Sequence, residues 1–188
     1  MLFMLSAPPS GVMPPALLEE RLRRLGQGDA AAMEEVYDGT HAAVYGFALS
    51  LLKNAHDAED VLQDTYLRVY QSASGYRAQG KPMAWILTIT RNLSLSVLRG
   101  RQGGTERPFE DLEESFSANP AFSPDDALAL RAVLETLDAQ ERQLIMLHIL
   151  GGLKHRESAA LLGLPLSTVL SKYTRALKKL KQALKEAE

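Results

Sequence analysis

The sequence predicts an all-α protein of two small helical domains joined by a flexible acidic linker. Apolar residues recur at intervals of three and four rather than two, which is the periodicity of amphipathic helices. Charge divides the chain: residues 1–102 hold ten basic and ten acidic side chains, residues 103–126 one and seven, and residues 127–188 ten and six. An acidic segment therefore separates a neutral part from a basic part, and the basic part is the expected nucleic-acid contact.

Prolines and glycines set the expected domain limits. Residues 1–16 carry no charge and contain four prolines, so we expect a disordered tail and no membrane insertion. Residues 103–126 open with two glycines, contain three prolines and lack periodicity, as expected of a linker. The predicted division is tail 1–16, first domain 17–102, linker 103–126 and second domain 127–188. When extended, the linker spans about 75 Å, which exceeds two turns of B-DNA at about 34 Å each.

Composition narrows the function classes. The chain has no cysteine, which excludes a disulfide framework, thiol catalysis and cysteine-ligated zinc and fits the cytoplasm. An alternative is an enzyme with a helical metal site built from Asp57, Glu59, Asp60 and Asp64. Such sites usually need Glu-x-x-His pairs on facing helices, and none of the four histidines has that spacing. We therefore expect no enzyme, no metal and no cofactor.

The first domain has four predicted helices. The first runs from Leu17 to Leu25 and ends at Gly26, a suitable C-cap. The second starts after Asp29 as N-cap and continues to residue 52, with an uncharged and therefore buried stretch at 41–52. The third starts at Asp57, where acidic residues suit the helix dipole. Residues 72–82 form a loop, and residues 83–98 form the fourth helix.

The second domain has helix-turn-helix character. Asp138 is placed to cap a helix that stops at residues 151–152 (Gly-Gly), and two more helices are predicted at about 153–162 and 166–185. Ala159 is small enough for two helices to cross closely. Gly163 stands where the turn needs a positive φ, and Val169 faces inward to hold the second helix on the first.

In this geometry the second helix of the motif enters the major groove. Residues suited to base edges and to phosphates then point outward from it. The predicted duplex-DNA contacts are Ser167, Thr168, Leu170, Ser171, Lys172, Thr174, Arg175, Lys178 and Lys179.

Residues 153–175 (LKHRESAALLGLPLSTVLSKYTR) closely resemble domain 4 of RNA polymerase sigma factors, which reads the −35 promoter element. Residues 57–70 (DAEDVLQDTYLRVY) are similar to the most specific signature of sigma domain 2, which docks on the polymerase β′ subunit. The resemblance implies the docking residues Asp60, Gln63, Asp64 and Tyr70. Independently, acids at 57, 60 and 64 share one helix face, and their repulsion would be relieved by a basic partner, although a solvated acidic face is the alternative.

Residues 81–99 (KPMAWILTITRNLSLSVLR) resemble the helix of the family that melts DNA and reads the −10 element. The preceding loop matches the one that captures a flipped base, and an aromatic beside a cation suits single-stranded DNA. For Trp85, the only tryptophan, core packing is the alternative role. The implied −10 contacts are Tyr76, Arg77, Lys81, Trp85, Arg91, Asn92, Arg99 and Arg101.

The chain departs from the family pattern at three positions. Ser96 stands where the family often has an acid, and Ser158 replaces a usual aliphatic residue, so we expect looser packing there. Leu170 occupies a position that is commonly basic and suits a thymine methyl instead.

The resemblance identifies a two-domain extracytoplasmic-function (ECF) sigma factor. It implies that core RNA polymerase (β′ and β subunits), promoter DNA and an anti-sigma factor are partners, in the cytoplasm and without an obligate homo-oligomer. The alternative is a stand-alone helix-turn-helix regulator with a helical N-terminal sensor domain, which would bind its operator as a free protein.

Overall fold

The protein is described by a computed structural model at residues 13–100 and 136–186. These ranges contain seven α-helices and one 3-10 turn, with no strand, which confirms the predicted all-α class. Most of the predicted tail, the whole predicted linker and residues 127–135 lie outside the described ranges. The α-helices are α1 (Pro15–Gly26), α2 (Ala31–Leu52), α3 (Ala55–Ser72), α4 (Pro82–Gly100), α5 (Ala139–Ile149), α6 (His155–Leu162) and α7 (Leu166–Glu186).

The turn between α1 and α2 is fixed by charge. Asp29 Oδ1 accepts the N–H of Ala31 at 3.1 Å, so Asp29 holds the start of α2 as expected, although the helix itself begins one residue later than a cap at Asp29 implies. Arg24 Nε donates to Asp29 Oδ2 at 2.7 Å, and Arg24 Nη1 lies 3.1 Å from Glu35 Oε1. The hydrogen bond from Arg24 holds the pKa of Asp29 below its usual value.

The predicted start of α3 at Asp57 is wrong. The helix begins at Ala55, because the backbone of Asn54 is extended and its side-chain Oδ1 accepts the N–H of Asp57 at 3.0 Å. Asp57 therefore lies in the first turn, where its charge suits the helix dipole. After α3 the predicted loop contains a 3-10 turn at Ala73–Gly75, and α4 starts at Pro82, a favoured first position.

The helix-turn-helix is built as predicted. A capping box opens α5: Asp138 Oδ1 accepts the N–H of Glu141 at 2.8 Å, and Glu141 Oε2 accepts the N–H of Asp138 at 3.0 Å. Gly163 ends α6 with φ 68°, and Val169 on α7 is fully buried against Ala159 on α6. These contacts hold α6 and α7 in a fixed crossing.

The first half of the described chain (α1–α4) and the second half (α5–α7) share their hydrophobic core. Leu147 and Leu153 join the cluster that surrounds Phe47 and Leu87, so side chains from both halves are buried together. A Cβ on Gly46 of α2 would come within 2.8 Å of Leu150 Cδ1, which shows how closely α2 approaches α5. In the described residues, no helix has the length and hydropathy needed to cross a bilayer.

Candidate polymerase and promoter interfaces

An exposed acidic and aromatic row runs along α3. The opposite face of this helix is buried through Val61, Thr65 and Val69, which fixes its rotation. All four predicted docking residues are therefore exposed: Asp60, Gln63, Asp64 and Tyr70.

Leu67 belongs to the same row and was missed from the sequence. It is 55% exposed, as is Tyr70, and two large exposed side chains in one row form an apolar patch of the kind that protein interfaces use. Its position three residues after Asp64 and seven after Asp60 would have placed it on this face.

The loop between α3 and α4 is held by α1. Tyr76 Oη donates to Glu19 Oε1 at 3.1 Å, and the N–H of Gly80 donates to the same oxygen at 2.8 Å. The Tyr76 ring also contacts Trp85, with ring centroids 4.8 Å apart. Burial raises the pKa of Tyr76, and the Glu19 carboxylate raises it further, so the hydroxyl stays protonated. Tyr76 is half-buried, whereas Arg77 is exposed.

Three of the residues predicted to contact the −10 region line one groove. This groove is lined by Lys81, which directly precedes α4, by Arg91 and Asn92 on α4, and by α6 residues that include Arg156 and Ala160. Trp85 is half-buried against Tyr76, which agrees with a packing role. Arg99 is exposed near the end of α4, and Arg101 lies outside the described residues.

The exposed face of α7 carries most of the predicted −35 residues. Ser167, Ser171, Thr174, Arg175 and Lys178 are exposed, and Thr168 is half-buried. Leu170 is 44% exposed at the centre of this face, where an apolar group can meet a thymine methyl.

Two of the predicted phosphate contacts have partners within the fold. Lys172 Nζ lies 3.3 Å from Asp138 Oδ2, and Lys179 Nζ lies 2.6 Å from Glu141 Oε2. Although burial opposes it, the N–H of Glu141 and the Lys172 ammonium hold the pKa of Asp138 below its usual value. Both lysines therefore join α7 to the start of α5.

Two family models match separate parts of the chain. The family model for Sigma-70 region 2 matches residues 36–103, and that for Sigma-70 region 4 matches residues 127–180. The ECF RNA polymerase sigma factor SigK of Mycobacterium ulcerans is 32% identical over 174 residues, covering 89% of this chain and 93% of that protein. The chain belongs to the ECF sigma factors. It therefore acts in promoter-directed transcription initiation with RNA polymerase.

Further relatives and solved structures are similar over most of the chain. SigK of Mycobacterium tuberculosis H37Rv is 32% identical over 181 residues, covering 91% of this chain and 97% of that protein. A solved RpoE–NepR complex from Bartonella quintana matches with TM-score 0.61 and 27% identity, covering 77% of this chain and 91% of that one. CnrH, solved with the cytosolic domain of CnrY, matches in fold with TM-score 0.60 and 22% identity, covering 90% of this chain and 98% of that one.

The sigma factor also has a ring cluster that sequence reasoning missed. His148 of α5, His155 of α6 and Tyr173 of α7 meet with ring centroids 4.6 to 4.9 Å apart. His148 Nδ1 lies 2.9 Å from the Leu153 carbonyl, which can only accept, so Nδ1 carries the proton. Burial and the neighbouring His148 lower the pKa of His155. Within residues 13–100 and 136–186, no three His, Cys, Asp or Glu side chains come together as metal ligands.

Proposed function

We propose that this sigma factor docks on core polymerase through the exposed row of α3 and reads the promoter through two separate surfaces. The loop at 76–80 and α4 would contact single-stranded −10 DNA, and α7 would contact the −35 duplex. The observation that carries the proposal is the row itself. Three acidic or polar residues and two large exposed side chains follow one another on the face of α3 opposite its buried side.

The chemistry of the row suits a basic and apolar partner surface. Asp60 and Asp64 stand one helical turn apart and repel each other at short range, which a cationic partner relieves. Leu67 and Tyr70 supply apolar area in the same row, and buried aromatic side chains often dominate the energy of such interfaces. Roughly equal numbers of acidic and basic residues also fit a protein whose DNA affinity depends on polymerase.

The promoter-reading surfaces differ in chemistry. The α4 groove offers Arg91, Asn92 and Lys81, which suit the phosphates and base edges of an opened strand. On α7, hydroxyl side chains and Leu170 stand beside Arg175 and Lys178, a mixture that suits base edges flanked by phosphates. We propose Lys178 and Arg175 as the main phosphate contacts, since Lys172 and Lys179 already have carboxylate partners.

The α4 groove is bordered by α6, so α6 would crowd a DNA strand that contacts Arg91 and Asn92. We therefore propose that the two halves separate when the protein engages polymerase and promoter. The predicted linker, at about 75 Å when extended, is long enough for this. We further propose an anti-sigma partner that favours the closed arrangement, since the Bartonella quintana relative was solved with the anti-sigma factor NepR. The proposed role is in the cytoplasm and involves binding without catalysis.

Run-off transcription with core polymerase tests the proposed function. We expect promoter-specific transcripts with the wild-type protein and loss of core-polymerase recovery in a pull-down with Asp64→Arg. Glu34→Arg, at an exposed carboxylate on α2, is the matched charge-reversal control and should recover polymerase normally. Equal recovery by both variants would contradict docking through α3. Tight operator binding without polymerase would favour the stand-alone regulator.

A further inference from the structure

One carboxylate on α1 holds the loop that precedes α4. Glu19 Oε1 accepts both the Tyr76 hydroxyl at 3.1 Å and the N–H of Gly80 at 2.8 Å. These two donors bracket the loop, because one opens it and the other closes it. A single charged acceptor thus restricts five residues, and hydrogen bonds to an ionised acceptor are stronger than neutral ones.

The same helix also contacts the chain just before the loop. A Cβ on Gly26 of α1 would lie 2.5 Å from the Ala73 carbonyl, so the backbones approach closely there. At the other end, Gly80 has φ 70°, a conformation that glycine adopts without strain. The loop is therefore fixed to α1 on both sides, at Gly26 and at Glu19.

The middle of the loop is left exposed. Arg77, Ala78 and Gln79 lie at its surface between the two anchored ends. Tyr76 is turned against Trp85, and its hydroxyl is already engaged, so its ring has one fixed orientation. A flexible loop loses conformational entropy when it binds a DNA strand, which weakens binding. An anchored loop has already lost this entropy on folding.

We propose that Glu19 is a positioning residue for promoter reading, which fixes the loop at 76–80 in the conformation that discriminates among bases of the single-stranded −10 region. Glu19 acts through Tyr76 and Gly80 and does not itself contact DNA. It lies outside the residues 36–103 that match the region 2 family model. The inference rests on the proposed −10 role of the loop.

The test is base discrimination by the protein with core polymerase. The position of the −10 element that the loop reads is first located by substituting each base of the element in turn. Run-off transcription is then measured on four promoters that differ only at this position. Discrimination is the transcription rate on the promoter with the preferred base divided by the rate on each of the other three promoters. We expect Glu19→Ala to reduce this ratio about tenfold, which corresponds to the loss of roughly one charge-assisted hydrogen bond. Tyr76→Phe removes one of the two bonds and should have a smaller effect in the same direction.

Matched variants separate positioning from stability. Glu20→Ala alters the adjacent carboxylate, which lies 3.5 Å from the Arg23 guanidinium, and should discriminate as the wild type does. Glu19→Gln keeps an oxygen that accepts both bonds and should restore discrimination to within about threefold. Trp85 is the only tryptophan and contacts Tyr76, so its emission should shift in Glu19→Ala and stay unchanged in Glu20→Ala.

The outcomes are distinct. A wild-type protein that does not discriminate at any −10 position overturns the role of the loop and the Glu19 proposal with it. A wild-type protein that discriminates, with Glu19→Ala discriminating equally, overturns the Glu19 proposal alone. Equal slowing on all four promoters, together with a lowered melting temperature, assigns Glu19 a structural role only and also overturns it. If Glu19→Ala does not fold, Tyr76→Phe decides the matter, because it removes a single hydroxyl.

Discussion

The ion pair between Glu141 and Lys179 is the clearest place to test the link between α5 and α7. The Glu141 side chain is fully buried, and its Oε2 accepts both the N–H of Asp138 at 3.0 Å and the Lys179 ammonium at 2.6 Å. Its other oxygen is buried and has no hydrogen-bond partner in the described part of the chain. Lys179 is therefore the cation that offsets the cost of burying this carboxylate.

The geometry makes the two single substitutions unequal. Lys179→Met leaves a buried carboxylate without its cation, a change that costs about 3–5 kcal/mol in a fully buried pair. Because the Lys179 side chain is 38% exposed, water can take part of its place. We therefore expect a loss of about 2–3 kcal/mol. Glu141→Gln keeps the capping bond from Asp138 and leaves an ammonium that water can solvate, so we expect a loss of only about 1 kcal/mol.

Urea unfolding followed by circular dichroism measures these values, and the double variant Glu141→Gln with Lys179→Met should be more stable than Lys179→Met alone. Lys178→Met, at the adjacent exposed lysine, is the control and should stay within about 0.5 kcal/mol of the wild type. For the polymerase–promoter complex, we expect the slope of log binding constant against log salt concentration to fall in magnitude by about one in Lys178→Met and to change little in Lys179→Met. A Lys179→Met protein as stable as Lys178→Met would refute this reasoning.

Three further substitutions test packing and titration. Ser158 is buried and its hydroxyl has no partner among the described residues, so Ser158→Ala should stabilise the protein by about 1 kcal/mol in thermal unfolding. A Cβ on Gly151 would lie 2.7 Å from the Leu147 carbonyl, so Gly151→Ala should lower the urea midpoint, whereas Gly75→Ala, with open space, should not. The folded state lowers the pKa of His155 below 6.5, so stability should fall as pH drops from 7.5 to 5.5, and less so in His155→Phe.

Local signals in the sequence predicted the helix-turn-helix well. Gly163, Val169 and Asp138 each have a role set by their own turn or helix end, and the structure places each one accordingly. The start of α3 was predicted less well, although it is also local. Asn is among the preferred N-cap residues, but the acidic residues from Asp57 onward also suit a first helical turn, and the prediction placed the helix start at Asp57 instead of after Asn54.

Contacts between distant segments could not be read in this way. Glu19 meets Tyr76 and Gly80 only because α1 folds back over the loop, a separation of 57 and 61 residues. In the sequence, Lys179 is one of several lysines on a basic helix. Its neighbouring residues give no sign of its contact with a carboxylate 38 residues away.

The contact between the halves did leave a trace in the sequence. Residues 41–52 carry no charge, and a helix without a polar face is buried on more than one side. In the fold, Phe47 faces the core shared with α4, while Gly46 and Leu49 approach α5. If the halves separate when the protein binds polymerase, the face of α2 that carries Gly46 and Leu49 loses its contact with α5 and is exposed. A bare apolar strip of that kind is unfavourable in water, so the open state needs a partner to shield it. Polymerase binding and domain separation are thus expected to occur together.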